Sequence, residues 1–311
     1  MLRSMTTLIA TSVVRGSKQG ESHGGIFLID LDRQRVAQPV DWNTTKIDWQ
    51  GRGWDRGLRG IAMDGDKIYI AASDELFVYN RDFETVTSYR SPYLKHCHEI
   101  SRYKRRLYLT STGYDSVIGF DLDKLQFSWG LHIAKTPDGY LGSPFHPDGN
   151  QGPSPGNELH INNVHCLEKG MYISGRGTGS LLHYTGKQIK AIATLPVGVH
   201  NARPYADGVL FNDSEKDVVR FESRDKQRLF RIPRYNPDQL THTDLDDSRI
   251  ARQAFGRGLC VVKDGVIAAG SSPSTITLHD LNSMKTTLSI NLTMDIRNAI
   301  HGLEVWPYPL D

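Results

Sequence analysis

Short apolar segments separated by polar turns recur along most of this chain of 311 residues. The stretch from Arg59 to Ser73 shows the pattern: an apolar strand, a turn containing Asp64-Gly65, and a second strand in which Ile and Tyr alternate. This order predicts an antiparallel hairpin. Two further strands, at residues 75–79 and 85–89, complete a four-stranded sheet. Such sheets, repeated at intervals of tens of residues, are the sequence signature of a β-propeller.

The copies align when the start of each second strand is taken as the reference. Nine positions earlier, a polar residue opens each copy. The opening residues of the first five copies are Arg59, His98, Asn162, His200 and Arg257. A sixth copy opens at His301 and reaches the end of the sequence before its later strands. Apolar segments near the other end, within residues 6–40, supply the missing strands.

The sequence therefore predicts an all-β fold, a six-bladed β-propeller, formed by residues 1–311 as a single domain. Its sixth blade combines residues 301–311 with residues 6–40. Pairing of the C-terminal strand with the N-terminal strands closes the ring and removes exposed sheet edges. Three long connections, residues 41–57, 135–157 and 233–255, are predicted to be loops that pass over one mouth of the central channel.

Composition and charge exclude several classes of protein. The net charge of +2, with acidic and basic residues interspersed, argues against a nucleic-acid partner. Three cysteines without a CxxC spacing argue against a disulfide framework and favour a reducing, cytoplasmic compartment. The sequence also lacks a signal peptide pattern and a stretch long enough for a membrane helix. Its oligomeric state is left open.

Three histidines form the candidate centre. His98, His200 and His301 open alternate blades, each followed by a long connection, which would place them about a third of a turn apart at the same mouth. Three imidazoles that converge on an axis can hold a divalent transition metal such as iron, copper or zinc and leave positions open for substrate. The alternative is structural: each histidine caps a strand end and bonds the backbone of the neighbouring blade.

The other opening residues suggest how a substrate could be held. Arg59 and Arg257 suit a carboxylate or phosphate, although they could instead bond carbonyl groups across the channel. Asn162 and Asn201 are further candidates for substrate binding.

Two candidates for catalysis lie next to opening residues. Glu99 is a candidate general base or a partner of a metal ligand, or it faces between blades and pairs with an arginine. His165 is the second candidate, because a shorter first hairpin in the third blade would bring it into the ring in place of Asn162. His160 could then reach in from the preceding loop.

The repeat length and the closure by both chain ends resemble the six-bladed propellers of the broad NHL, gluconolactonase and strictosidine-synthase-like group. The resemblance covers nearly the whole chain and implies the architecture alone. The metal site of the gluconolactonase-like proteins uses carboxylate and asparagine ligands, so the histidines seen here do not imply lactonase chemistry. Carotenoid oxygenases, propellers that hold iron with four histidines, are similar in concept.

Together these observations predict a metal-dependent enzyme that acts on a small, anionic molecule at the mouth of the channel. A set of histidines without a carboxylate ligand favours an oxidoreductase slightly over a hydrolase or lyase. The alternative is a non-catalytic propeller that binds a peptide or partner protein on the same face.

Overall fold

The computed structural model describes residues 6–18, 20–43, 57–244 and 252–309. These residues form 25 β-strands, arranged in six antiparallel sheets, and a 3₁₀ turn at Pro237–Gln239. The fold class is a six-bladed β-propeller, as predicted.

The strands follow in chain order, blade by blade. The N-terminal strands of blade six are β1 (Thr7–Val14), β2 (Gly25–Asp30) and β3 (Arg35–Asp41). Blade one comprises β4 (Ile61–Asp64), β5 (Lys67–Ala72), β6 (Glu75–Tyr79) and β7 (Thr85–Arg90). Blade two comprises β8 (Ile100–Tyr103), β9 (Arg106–Ser111), β10 (Ser116–Asp121), β11 (Gln126–Thr136) and β12 (Gly139–Phe145). Blade three comprises β13 (Ile161–Leu167), β14 (Gly170–Gly175), β15 (Ser180–Tyr184) and β16 (Ile189–Thr194).

The remaining strands complete the list. Blade four comprises β17 (Val199–Tyr205), β18 (Gly208–Asp213), β19 (Val218–Ser223) and β20 (Gln227–Arg231). Blade five comprises β21 (Leu259–Lys263), β22 (Val266–Ser271), β23 (Thr275–Asp280) and β24 (Lys285–Asn291). The last strand, β25 (Asn298–Trp306), belongs to blade six.

Blade six joins the two ends of the sequence. Its strand order is β25-β1-β2-β3, and β1 pairs antiparallel with β25 from Thr7 opposite Trp306 to Val14 opposite Asn298. Every residue of β1 is buried, because this strand lies between two others. The prediction that the C-terminal strand pairs with N-terminal strands is confirmed.

Blade two differs from the sequence prediction, which assigned residues 135–157 to a loop. Instead, β11 continues to Thr136 and turns at residues 137–138 into a fifth strand, β12. Gly130 lies opposite Phe145 in this pair, and a Cβ at Gly130 would stand 2.5 Å from the Phe145 ring. The glycine therefore leaves the room that the aromatic ring needs. Of the other two long connections, residues 44–56 and 245–251 lie outside the described part of the chain.

Alternation of side chains along the strands builds cores that join successive blades. One cluster combines β5 and β6 with β9 and β10, through residues such as Tyr69, Val78, Leu109 and Phe120. Full burial of a side chain of this size contributes about 1.5–3 kcal/mol. The outermost strands, such as β3 and β7, are mostly exposed. Their polar side chains face water, which is the expected pattern for the last strand of a blade.

The chain groups into two compact units. The first unit comprises Met1–Arg59, Asp217–Val219 and Arg228–Asp311, and it contains blades five and six. The second unit comprises Gly60–Lys216 and Arg220–Gln227, and it contains blades one, two and three. The strands of blade four are divided between the units. The single-domain assignment remains a prediction.

Two further findings concern the cysteines and membrane-spanning helices. All three cysteines are buried, and no disulfide joins them. Within the described ranges, no helix has the length and hydrophobicity needed to cross a membrane.

Candidate functional site

In the second unit, the residues that open the blades are buried polar side chains. His98 and Glu99 precede β8, Asn162 lies in β13, and His200 and Asn201 lie in β17. A polar group removed from water must find partners inside the protein or in a bound molecule. The partners of these side chains therefore indicate what this part of the fold can bind.

The hydrogen bonds of His98 fix its tautomer. Its Nδ1 lies 2.7 Å from the carbonyl oxygen of His96 and 2.9 Å from Thr112 Oγ1. The hydroxyl of Thr112 donates to the carbonyl of Ile161, at 2.6 Å, and so accepts from the histidine. Because a carbonyl oxygen can only accept, Nδ1 carries a proton, and in the neutral ring the lone pair is therefore on Nε2. The ring of His160 meets that of His98 edge to face, with 5.3 Å between centroids.

His200 is oriented in a similar way, by a hydroxyl fourteen residues further along the chain. Its Nδ1 lies 2.9 Å from Ser214 Oγ, as Nδ1 of His98 lies 2.9 Å from Thr112 Oγ1. Hydrogen bonds of this kind are typical of histidines whose ring orientation matters for binding. The sequence predicted the two histidines but not the hydroxyl groups that orient them.

Glu99 belongs to a hydrogen-bonded chain of polar side chains. Asn201 Nδ2 donates to Glu99 Oε2 at 2.9 Å, and Asn212 Nδ2 donates to Asn201 Oδ1 at 3.0 Å. Asn201 adopts a positive φ of 55°, at a point where the pairing of β17 with β18 shifts register. Asparagine tolerates this left-handed conformation better than most residues, and such irregularities redirect side chains. The structure thus brings two predicted site residues, Glu99 and Asn201, into contact.

Blade three and blade four meet at a group of polar residues that we name the polar seam. It consists of Asn162, Asn163, His165, Ser174 and Arg203. The amide of Asn162 donates to the carbonyl of Val199 at 3.0 Å, and the amide of Asn163 donates to that of Ala202 at 2.5 Å. The Oδ1 atoms of both asparagines and the hydroxyl of Ser174 are buried without a hydrogen-bond partner in the described residues.

Arg203 is the most unusual member of the polar seam. Its side chain lies in β17 and the residue is only 8% exposed. Its Nε is buried without a partner, and no described residue forms an ion pair or a hydrogen bond with the guanidinium group. A buried polar group without a partner is costly, and in a native protein it calls for an explanation such as a catalytic role or a bound ion.

His165 is held neutral. Burial, together with the smaller effect of the positive charge of Arg203, lowers its pKa from 6.5 to about 3. The side chain nevertheless keeps some surface accessible to solvent. A neutral imidazole next to a cation is a poor base but can donate a hydrogen bond at any physiological pH. The alternative in which His165 replaces Asn162 in the ring stays a prediction; both residues lie in β13.

Burial also lowers the pKa of a second histidine, His279 in β23, whose contacts give it a structural role. It is fully buried, stacked on Phe230 at 4.5 Å, and bonded to the hydroxyls of Thr277 and Thr286. Burial lowers its pKa from 6.5 to about 4.

Because the pKa values of these two histidines are lowered in the folded protein, we expect the protein to lose stability in mild acid. Their folded pKa values lie below the unfolded value of 6.5, so between pH 6.5 and about pH 4 the unfolded chain binds more protons than the native one. The free energy of unfolding should fall by on the order of 2 kcal/mol for each histidine between pH 6.5 and pH 5. Denaturant titrations across this range measure the slope. His279→Gln should remove about half of the histidine-dependent part, and an unchanged slope in that variant would contradict the assignment.

The first unit contains Arg59, Arg257 and His301, which are all buried. The hydroxyl of Thr11 donates to the carbonyl of Arg59 and accepts from the backbone N–H of Gly302, at 2.9 Å. A Cβ on Gly258, the residue after Arg257, would stand 3.1 Å from the carbonyl oxygen of His301. The backbones at the three predicted positions are therefore closely packed around Thr11 and Gly258.

Arg257 also belongs to an arginine cluster around Phe255. The guanidinium carbons of Arg15, Arg252 and Arg257 lie 4.9, 4.7 and 4.6 Å from the centre of the Phe255 ring. Asp217 accepts a hydrogen bond of 2.6 Å from Arg252. Stacking of guanidinium groups on an aromatic face is a favourable arrangement. It gives Arg257 a fixed orientation that the sequence did not reveal.

The metal centre remains a prediction. In the part of the chain that the structure describes, no three His, Cys, Asp or Glu side chains form a group that could hold a metal ion. His98 and His200 lie in the second unit and His301 lies in the first. The tautomer of His98, with its lone pair on Nε2, is the one that a metal ligand bonded through Nε2 requires.

The sequence alone did not indicate Arg203 as a candidate site residue. It lies three positions after the predicted residue His200, inside a strand whose neighbouring residues are Ala202 and Pro204. A charged side chain within an innermost strand was the available signal. The repeat alignment draws attention to the residues that open each blade, and Arg203 is not one of them.

Comparisons with known proteins support the fold and no closer relation. No family model and no curated protein sequence matches the chain. A structure of a protein of unknown function from Bacteroides caccae has a TM-score of 0.58 at 10% identity and covers 98% of this chain and 100% of its own. The C-terminal WD40 domain of Sif2 has a TM-score of 0.50 at 10% identity, covering 95% and 90%.

An enzyme also occurs among the structural neighbours. A catalytically inactive virginiamycin B lyase from Staphylococcus aureus, solved with quinupristin, has a TM-score of 0.47 at 12% identity, covering 79% of this chain and 73% of its own. At such identities a structural likeness shows the fold alone. The function of this chain must therefore be argued from its own residues.

Proposed function

We propose that the protein binds a small anionic molecule in the polar seam of its second unit and acts on it as an enzyme. The observation that carries the proposal is Arg203, a residue only 8% exposed, whose Nε is buried without a hydrogen-bond partner and whose guanidinium group forms no ion pair with any described residue. A carboxylate or phosphate would supply that counter-ion through charge-assisted hydrogen bonds.

Other residues of the polar seam complement such a ligand. His165, neutral over the physiological range, is suited to donate a hydrogen bond to a carbonyl or hydroxyl oxygen of the substrate. The buried oxygens of Asn162 and Asn163 are suited to accept hydrogen bonds from hydroxyl groups. A small molecule with one anionic group and several hydroxyl or carbonyl oxygens would satisfy all of these groups together.

Glu99 supplies the second group for catalysis. Its carboxylate is buried and accepts a hydrogen bond from Asn201, which fixes its orientation. A positioned carboxylate can take a proton from a substrate while a neutral imidazole stabilises the developing negative charge. Proton transfer next to a carbonyl group is the reaction class that these two side chains suit best.

Anion binding can be measured without knowing the substrate. Thermal unfolding and calorimetric titration of the full chain with phosphate, acetate, succinate, citrate and pyruvate should reveal at least one anion that binds and stabilises the protein. Arg203→Met should weaken binding by about 100-fold, equivalent to about 2.7 kcal/mol for a lost charge-assisted contact. With pyruvate, whose own charge is constant there, the affinity should be flat from pH 5 to pH 9, because His165 stays neutral in that range.

Arg224→Met is the matched control. Arg224 lies in the same blade and is exposed, so this variant loses the same charge outside the polar seam. It should bind the anion as the unmodified protein does. Equal losses in the two variants would show that net charge alone is responsible, and failure of all five anions to bind would overturn the proposal.

A further inference from the structure

A pocket of about 310 Å³ lies in the second unit and is lined by residues of blades two and three. Its lining includes Tyr103 at the end of β8 and Leu167 at the end of β13. The polar seam includes Asn162, near the other end of β13. The pocket is therefore a different place from the site of the proposed function, and its volume falls at the lower end of the range of small-molecule sites.

Aromatic side chains dominate the walls of this pocket. Tyr103, Tyr108, Trp129 and Tyr184 line it, and each ring is only partly buried against the core of blade three. Below them lies Cys166, a buried thiol whose pKa burial raises to about 12 and which is therefore neutral and unreactive. A ligand that enters must present an apolar surface to these rings.

The orientation of the rings restricts the shape of that surface. Trp129 stands nearly perpendicular to Tyr108, at 85° and 5.7 Å, and is tilted by 36° to Tyr184 at 6.3 Å. A flat aromatic ligand stacks best between two parallel rings about 7 Å apart, twice the usual contact distance between carbon atoms. Neither of these pairs provides that arrangement. A ligand with a single apolar face needs only one ring, and Trp129 offers the largest.

The polar groups of the lining have balanced charge. The guanidinium group of Arg106 lies 3.7 Å from Asp121. Glu168 is exposed, and its carboxylate forms no ion pair or hydrogen bond with any described residue. Thr185 adds a hydroxyl group. One cation, one anion and a neutral hydroxyl provide both donors and acceptors, which suits a neutral ligand with several hydroxyl groups.

We propose that this pocket binds a neutral saccharide, with the apolar face of one sugar ring against Trp129 and its hydroxyl groups bonded by Arg106, Glu168 and Thr185. A pyranose ring combines an apolar face of C–H groups with a rim of hydroxyls that donate and accept. That combination matches one aromatic wall beside a mixed polar rim. Electron-rich ring faces attract the weakly positive hydrogens of such C–H groups.

Ligand-observed NMR with the full chain tests the proposal. The probes are glucose, galactose, mannose, N-acetylglucosamine, N-acetylgalactosamine, cellobiose and maltose at millimolar concentration, with indole and adenosine as flat aromatic competitors. At least one sugar should show saturation transfer. Trp129→Leu and Glu168→Gln should each weaken its binding by about tenfold or more, the loss of one good contact.

Controls separate this site from folding effects and from the polar seam. Glu168→Gln changes an exposed side chain and should leave the melting temperature unchanged, so its loss of binding cannot arise from unfolding. Glu84→Gln, in the turn before β7, should bind the sugar normally, and so should Arg203→Met. Absence of saturation transfer to all seven sugars would overturn the proposal. Sugar binding that neither Trp129→Leu nor Glu168→Gln weakens would overturn it as well. Binding of indole or adenosine alone would replace the saccharide with a flat aromatic ligand and refute it.

Discussion

A chain that ends before β25 is expected not to fold. Truncation after Arg297 removes the strand that pairs with β1 along its whole length, from Thr7 to Val14. It also removes Ile300 and Leu303 from the core cluster that they share with Leu8. Loss of a buried aliphatic side chain of this size costs about 2–5 kcal/mol, so two such losses approach the whole stability of an ordinary domain.

The edge of β1 that the truncation leaves unpaired is a second reason why the shortened chain should not fold. All side chains of β1 are buried in the intact protein, so the truncated chain would expose an apolar strand with free N–H and C=O groups. Such an edge pairs readily with other chains, and aggregation is expected. Circular dichroism and light scattering of the truncated protein measure both effects. A control that ends at Trp306 keeps the strand and should melt within a few degrees of the full chain, and cooperative unfolding of the shorter protein at an unchanged temperature would refute the expectation.

Two arginines of blade four should respond to the same substitution in opposite directions. Arg220 donates to Asp213 at 2.8 Å and lies against the ring of Phe211. Asp213 is 1% exposed, so Arg220→Met leaves a buried carboxylate without its cation. Breaking a buried pair in this way costs about 3–5 kcal/mol.

Arg203→Met should instead stabilise the folded protein. No described residue pairs with this guanidinium group and its Nε is buried, so the substitution removes a buried polar group that has no partner and leaves no partner behind. Relief of an uncompensated polar group is worth about 1–3 kcal/mol. Denaturant unfolding in the absence of added anions measures both variants, and saturating anion should narrow the difference between Arg203→Met and the unmodified protein.

Comparison of the two variants distinguishes a role of Arg203 in binding from a structural role. If Arg203→Met destabilises the protein as strongly as Arg220→Met does, Arg203 has a structural role and the proposed anion site loses its principal support. If it stabilises the protein and abolishes anion binding, the arginine is retained for function at a cost to stability. Residues of that kind are common at binding sites.

The architecture could be predicted from the sequence because it depends on local patterns. Strand alternation has a period of two residues and is visible without any long-range information, as in Ile68 to Ile70. The recurrence of the hairpin fixed the number of blades, and the incomplete sixth copy showed that the two ends of the sequence must pair. The same alignment of repeats singled out His98, Glu99, Asn162, His200 and Asn201 as candidates, and the structure shows that they are buried.

What the sequence could not supply depends on contacts between residues far apart in the chain. The bond between Glu99 and Asn201 spans 102 positions, and it exists only because the first strands of different blades come together. The strand of residues 139–145 was hidden because its Gly- and Pro-containing sequence is typical of turns, and pairing with β11 decided its conformation. Tertiary context commonly overrides local propensity in this way.

The polar seam, too, could be recognised only in the folded structure. A sequence shows an arginine at position 203 but not whether a carboxylate lies beside it, since any acidic residue in the chain could be its partner. Only the tertiary structure shows that Arg203 is buried, that no described side chain neutralises it, and that its charge acts on His165 from another blade. The sequence by itself determined the fold through local periodicity, whereas burial and charge pairing, which decide the chemistry of the site, depend on how the strands pack in three dimensions.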